Sequence, residues 1–145
     1  LNHPMWLMRR ALKYMIPQEH GRIMSVSSMY GKVVLATQAP YCTTKHALNG
    51  LTKVVAQEVG TLGITVNALC PGGILTDIMQ EQGPAAAEQL GLSFEDFLTM
   101  MQAPSAIKRM NTVEDCALVA VLLASEAGAG ITGSLISIDG GQSPY

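Results

Sequence analysis

Tyr41 and Lys45 are the residue pair best suited to acid–base chemistry in this sequence. At a spacing of i, i+4 they share one face of a helix, with Cβ atoms roughly 5–6 Å apart. A lysine ammonium at that distance favours the phenolate over the phenol, so the tyrosine can donate and recover a proton. The chain has four tyrosines, so an ordinary exposed helix pair remains an alternative interpretation of the spacing.

Two other segments carry polar groups where strands are predicted to end. Ser27 and Ser28 close the predicted strand 22–27, thirteen residues before Tyr41. The predicted strand 64–69 is stopped by the sequence Pro-Gly-Gly at 71–73, and Thr76 follows with a free hydroxyl. Open α/β sheets bind their ligands at the carboxyl ends of the strands. Each segment could also be a plain strand-to-loop turn, but together they predict Ser, Tyr, Lys and a Pro-Gly turn at one edge of a sheet.

The elements that must position these residues alternate along the chain. Helices are predicted over 1–16 and 41–59, after the capping pattern at Ser93, and from the capping box at Thr112 to about Ser125. The last of these helices is apolar nearly all round, so we expect both its faces to be buried. Between 76 and 110 the pattern is less regular, and Pro84 and Pro104 bracket the segment. With a third strand over 135–138, the order predicts an α/β fold with a parallel sheet.

Composition narrows the possible functions. A chain of 145 residues fits one domain, 1–145. Charged residues make up 14%, against the ~25% usual for soluble domains, which suggests surface covered by a partner subunit or another part of the protein. A net charge of −2 argues against nucleic-acid binding. The longest apolar run, 117–124, is far shorter than the ~20 residues of a membrane span.

The cysteines and histidines predict neither a disulfide framework nor a metal site. The three cysteines include no CxxC pair, which favours a reducing cytoplasm. The three histidines, His3, His20 and His46, lack metal-ligand spacing.

A glycine pattern at 128–133 matches the dinucleotide fingerprint G-x-G-x-x-G by its letters alone. That fingerprint requires a strand before it and a helix after it. Here a predicted helix precedes and a predicted strand follows, so we expect a loop leading into the last strand.

Four features, in order, resemble the classical short-chain dehydrogenases/reductases. They are the strand ending in Ser28, Tyr41-x-x-x-Lys45, the N-x-x-x-P-G-x-x-x-T pattern over 67–76, and Ile131-Thr-Gly133 followed by Asp-Gly-Gly at 139–141. The resemblance covers essentially the whole chain and matches the C-terminal part of a family member. It implies a Rossmann-like three-layer αβα fold with a parallel sheet. It also implies that the glycine-rich turn, the residue choosing NAD or NADP, and the family's active-site Asn lie upstream of Leu1; Asn2 is near that Asn but is not assigned its role.

The resemblance also implies an oxidoreductase that moves a hydride between NAD or NADP and a small alcohol or ketone, such as a 3-hydroxy acid or a sugar. Tyr41 would exchange a proton with the substrate oxygen, Lys45 would support Tyr41 and bind the nicotinamide ribose, and Ser28 would hold the carbonyl oxygen. The implied cofactor-binding residues are Tyr41, Lys45, Pro71, Gly72, Ile74 and Thr76.

Within the family, segments 45–53 and 76–82 are similar to the bacterial 3-hydroxybutyrate dehydrogenases. Gln82 matches a glutamine that contacts the substrate carboxylate there. Tyr30 and Gln38 stand where that group has His and Lys. The loss of both cations weakens the case for a small carboxylate, although these three residues remain the expected substrate contacts. Segment 77–105 would be a lid over the substrate, or else a helix pair packed on the domain.

Two other functions remain open at this point. One is a non-catalytic dimerisation or regulatory half-domain. The other, weaker one is a nucleotide-sugar epimerase, which also uses Tyr-x-x-x-Lys but carries a larger C-terminal region than the 100 residues after Lys45. For the dehydrogenase, the resemblance implies a homodimer or homotetramer formed through helices 4–16 and 41–59, with no nucleic-acid or membrane partner.

Overall fold

The centre of the fold is a parallel three-stranded sheet. In the computed structural model, which describes residues 1–143, the strands are β1 (Gly21–Val26), β2 (Ile64–Pro71) and β3 (Leu135–Ile138), in the order β1-β2-β3. Gly21 is level with Ile64 in the first pair, and Ala68 with Leu135 in the second. Because the strands are parallel, their carboxyl ends meet at one edge.

Five α-helices surround the sheet. They are α1 (Asn2–Met15), α2 (Ala39–Val59), α3 (Asp77–Gln89), α4 (Phe94–Gln102) and α5 (Val113–Ala124). Within residues 1–143, no helix is both long and apolar enough to cross a bilayer.

The helices form two layers, one on each face of the sheet. Met8 of α1 and Leu48 of α2 pack on Ile64 and Val66 of β2 in the main hydrophobic core, with Ile23 of β1 beside them. Adjacent residues of a strand point to opposite faces. Arg22 therefore points away from that core, and its guanidinium pairs with Glu126, just after α5, at 3.4 Å. The architecture is the predicted three-layer αβα arrangement.

Local sequence signals located the elements well. Thr112 forms the predicted capping box of α5: its Oγ1 accepts from Asp115 N at 3.1 Å, and Asp115 Oδ2 accepts from Thr112 N at 2.9 Å. Ser93 caps α4 by accepting from Asp96 N at 3.1 Å. Both helix starts are confirmed.

The segment between 76 and 93 is more regular than predicted. Helix α3 runs through Pro84, which was expected only to mark one end of a less regular segment. A Cβ at Gly83 would lie 2.4 Å from the Phe94 ring, so α3 and α4 pack closely there. This tertiary contact stabilises a helix that proline disfavours locally.

The expectation that both faces of α5 are buried is wrong. Leu123 is buried against the sheet, whereas Leu118 and Val121 are 73% and 67% exposed. One stripe of α5 covers β1 and β2, and nothing among residues 1–143 packs on the opposite stripe.

The glycine pattern at 128–133 is a structural loop, as predicted. Asn67 of β2 donates to Ile131 O at 2.7 Å and accepts from Ser134 N at 3.1 Å. Val66 N donates to Thr132 Oγ1 at 3.0 Å. These bonds fix the approach to β3.

Candidate active site

A cleft of about 620 Å³ opens at the carboxyl edge of the sheet. It brings together all the predicted catalytic and cofactor residues and two of the three predicted substrate residues. Its walls are formed by Val26, Ser27, Ser28, Met29, Tyr30, Leu35, Gln38, Tyr41, Lys45, Pro71, Gly72, Gly73, Ile74, Thr76, Ile78, Met79 and Met101.

Ser28 begins the turn that leaves β1. Its Oγ accepts from Tyr30 N at 3.1 Å and so caps the short helical turn at 29–31. The hydroxyl hydrogen has no acceptor among the described residues and is available to a ligand in the cleft.

The turn after β1 is bonded directly to α2. Ser27 Oγ donates to Lys45 O at 3.3 Å, and Asn49 Nδ2 donates to Gly31 O at 2.8 Å. A Cβ at Gly31 would lie within 3.0 Å of groups on Asn49, Ser27 and Lys45. The close approach holds Ser28 beside the first turns of α2.

Tyr41 and Lys45 lie on the cleft side of α2. The helix begins at Ala39, with Pro40 in its first turn, where the missing N–H is tolerated. Lys45 Nζ donates to Val26 O at 3.0 Å and lies 5.5 Å from the centre of the Tyr41 ring. A positive charge is thus held beside a phenol that is 44% exposed to the cleft.

The Pro-Gly turn after β2 supplies the opposite wall. Gly72 N donates to Ile138 O at 3.0 Å, and a Cβ at Gly72 would lie 2.8 Å from Asp139 Cα. Only glycine fits there. Thr76 Oγ1 accepts from Met79 N at 3.3 Å and caps α3, while its hydroxyl hydrogen has no acceptor among the described residues.

The three expected substrate contacts are not together. Tyr30 meets the Tyr41 ring edge-on, with centroids 6.4 Å apart, and Gln38 lies exposed just before α2. Burial raises the pKa of the Tyr30 phenol, with smaller contributions from Cys42 and Tyr41. Gln82 instead lines an adjoining cavity of about 230 Å³, which shares Thr76, Ile78 and Met79 with the cleft.

Lys32 is a part of this region that sequence reasoning missed. Its Nζ donates to Ser137 Oγ of β3 at 2.7 Å, and Ser137 is bonded through Ser143 to buried Asp139. Burial raises the pKa of the neighbouring Cys70 thiol, and the Lys32 charge partly offsets this. Lys32 thus ties the active-site loop to the end of β3. In the sequence, only the position of Lys32 between Ser28 and Tyr41 indicated that it lies near the site.

The apolar wall was missed in part as well. Met29, Leu35 and Ile78 line the cleft from three separate segments. Only their closeness in sequence to Ser28, Tyr41 and Thr76 indicated that these residues line the cleft. No hydrophobic periodicity indicated it.

Comparisons with known proteins agree with this fold. The family described as Enoyl-(Acyl carrier protein) reductase matches residues 1–143. The chain is 38% identical over 134 residues to a D-beta-hydroxybutyrate dehydrogenase of Rhizobium meliloti, covering 92% of this chain and 52% of the relative. It therefore spans about half the length of that relative.

Solved structures show the same partial coverage. An F189W actinorhodin polyketide ketoreductase with NADPH superposes with a TM-score of 0.88 at 28% identity, covering 95% of this chain and 54% of that one. A 4-hydroxyisoleucine dehydrogenase mutant complexed with NADH and succinate superposes with a TM-score of 0.87 at 29% identity, covering 100% and 56%. In fold and in sequence, this chain belongs to the short-chain dehydrogenase/reductase family.

Proposed function

We propose that this chain carries the catalytic part of an NAD- or NADP-dependent oxidoreductase that interconverts a small alcohol and a ketone, of the 3-hydroxy acid, sugar or similar class. The supporting observation is that Ser28, Tyr41 and Lys45 line one cleft together with the Pro-Gly turn after β2. Family membership and the cofactors named with the solved relatives support the same reaction type.

Tyr41 is the general acid and base. In ketone reduction its O–H gives a proton to the substrate oxygen, and in alcohol oxidation the phenolate removes it. The Lys45 ammonium, 5.5 Å from the ring centre, stabilises the negative charge left on Tyr41. Ser28 donates its free hydroxyl hydrogen to the carbonyl oxygen and holds that oxygen near Tyr41.

The donors at the cleft fit a nicotinamide nucleoside. Lys45 and Tyr41 offer N–H and O–H groups to ribose hydroxyls, while Pro71, Gly72, Ile74 and Thr76 offer backbone and hydroxyl groups on the opposite wall. When bound, the nicotinamide supplies or accepts the hydride. The role of these residues is to orient it and to keep water from the reacting carbon.

The test compares Tyr41→Phe with Tyr14→Phe in the full-length protein. Tyr14 lies exposed on α1, away from the cleft, and serves as the matched control. Tyr41→Phe should lower kcat at least about 100-fold, since acid–base catalysis contributes about that much or more. Fluorescence titration should still show saturable NADH or NADPH binding. Residual activity near wild type would refute the role of Tyr41, and absence of binding would favour the non-catalytic half-domain.

The same proposal includes a homodimer or homotetramer formed through helices 4–16 and 41–59. Between α1 and α2 lies an open groove with an apolar floor that includes Leu12, Leu51 and Val55. Arg9 and Glu58 flank it, so a second copy could pair opposite charges across the contact. A cytoplasmic location is proposed on the three free thiols, two of which are buried.

A further inference from the structure

We infer that the part of the substrate held in the cleft is uncharged and apolar: a neutral ketone or secondary alcohol with an alkyl or ester substituent. This inference rests on the proposed oxidoreductase function, and within its substrate range it favours a neutral, apolar ketone or alcohol over a 3-hydroxy acid or a sugar. The first observation is the charge of the cleft. Among the described residues 1–143, those that line the cleft include one cation, Lys45, and no Asp, Glu, Arg or His.

The one cation is already engaged. Lys45 Nζ donates to Val26 O at 3.0 Å and stands over the Tyr41 ring, and in the proposed reaction it also binds the ribose. A carboxylate that enters the cleft would lose its hydrating water and would meet no unengaged cation on the wall formed by the described residues. Burial of an unpaired charge is unfavourable, so such a substrate binds weakly.

The remaining wall suits an apolar group. Met29, Met79 and Met101 come from the turn after β1, from α3 and from α4, and they face one space together with Leu35, Ile74 and Ile78. Methionine side chains are flexible and polarizable and adapt to apolar groups of irregular shape. No single helix face explains this convergence, because the methionines come from three elements.

The two polar residues nearest the mouth are neutral. Tyr30 presents a phenol whose pKa burial raises, so it remains protonated at neutral pH. Gln38 makes no side-chain cap bond to α2 and is exposed. Both can hydrogen-bond an ester or amide oxygen but add no charge.

The test measures kcat/KM of the full-length protein, with NADH and NADPH, for three ketones of one skeleton: acetoacetate, acetoacetamide and ethyl acetoacetate. The amide matches the acid in size, so it separates charge from apolar area. We expect the ester to be the best substrate and the acid to be at least about tenfold poorer than the amide, because the carboxylate must lose water without gaining an opposite charge. Acetoacetate reduced as well as or better than the amide would overturn the inference and leave the oxidoreductase proposal standing. Reduction of none of the three would count against both.

A variant then adds the missing charge. Gln38→Lys places a cation in the cleft wall and should raise kcat/KM for acetoacetate, relative to that for the ester, about tenfold. Gln89→Lys makes the same substitution at the exposed end of α3, outside the cleft, and should leave the ratio of acid to ester unaltered. If Gln38→Lys and Gln89→Lys give the same ratio of kcat/KM for the acid to kcat/KM for the ester, the lack of a cation does not determine the preference for neutral substrates. The inference is then wrong.

Discussion

Gly31 lies where the turn after β1 meets α2, and its substitution by alanine tests how this contact positions the site. A Cβ there would come 2.6 Å from Asn49 Nδ2, 2.8 Å from Ser27 Oγ and 2.9 Å from Lys45 O. Gly31 does not have a positive φ, so the effect is steric. The Lys45 carbonyl belongs to the backbone of α2 and cannot rotate away, so the turn itself must move.

The expected loss of stability follows from two contributions. Overpacking of a close contact destabilises by about 1–3 kcal/mol. Displacement of the turn also weakens the bond from Asn49 Nδ2 to Gly31 O, which adds about 1 kcal/mol. We expect Gly31→Ala to lower the free energy of unfolding by roughly 2–4 kcal/mol in total.

Activity should fall as well. The turn carries Ser28, whereas α2 carries Tyr41 and Lys45. A shift of about 1 Å between groups that must act on one oxygen can lower kcat/KM about 100-fold. Urea unfolding gives the stability change, and steady-state kinetics of the remaining folded protein gives the second effect.

Gly60→Ala is the matched control. Gly60 has helical φ and ψ angles of −59° and −36°, and an added Cβ would meet nothing within 4 Å. Alanine there should stabilise the protein by about 0.4–1 kcal/mol, since it restricts the unfolded chain. Equal unfolding free energies for the two variants would refute the argument that the turn and α2 are in forced contact.

Three further predictions concern other parts of the molecule. Lys32→Met removes the 2.7 Å bond to Ser137 and should lower the free energy of unfolding by about 1.5–3 kcal/mol, measured in urea; an unchanged midpoint would contradict this. The Arg109 side chain, then the Thr112 N–H, hold the pKa of Asp115 at about 2, so its contribution to stability is present above the ordinary carboxyl pKa of ~4 and is lost as pH falls towards about 2. Asp115→Asn should therefore flatten the acid-side loss of stability, and an identical pH profile would argue against the ion pair. Light scattering of the full-length protein should give the mass of a dimer or tetramer, and a monomer mass would exclude the proposed contact through α1 and α2.

Much of the site was predictable because parallel strands bring distant residues to one edge. Ser28 and Thr76 each follow a strand end that the local pattern located, and Tyr41 lies near the start of α2, the helix that follows β1. Once the sheet is known to be parallel, their proximity follows without any side-chain detail. The helix caps at Thr112 and Ser93 were predictable for a similar reason, because each depends only on residues within one turn of the helix start.

The errors arose where packing overrides local preference. The segment around Pro84 was expected to be less regular, but α3 is continuous through Pro84 and packs closely on α4 at Gly83 and Phe94. Helix α5 is apolar nearly all round, which indicates burial of every face. The pattern does not tell which element covers each face, and one stripe of α5 is exposed among residues 1–143. Gln82 was named as a substrate contact from the resemblance alone, and the structure places it in a cavity beside the cleft, whose position depends on the direction in which α3 leaves the sheet. None of these is encoded in spacing alone.

The bonds that fix the site were the least predictable part, because their partners are backbone carbonyls. Lys45 bonds Val26 O, Ser27 bonds Lys45 O, and Asn49 bonds Gly31 O. Lys45 and the turn beside it are therefore held through main-chain carbonyl groups, which remain acceptors when neighbouring side chains change. Gln38 takes no part in these contacts to carbonyl groups, whereas Tyr30 packs edge-on against the Tyr41 ring. In the proposed function, the residues that transfer the proton are therefore positioned independently of Gln38 in the cleft wall. For this reason a cation at position 38 should alter the substrate preference and leave the proton transfer unchanged.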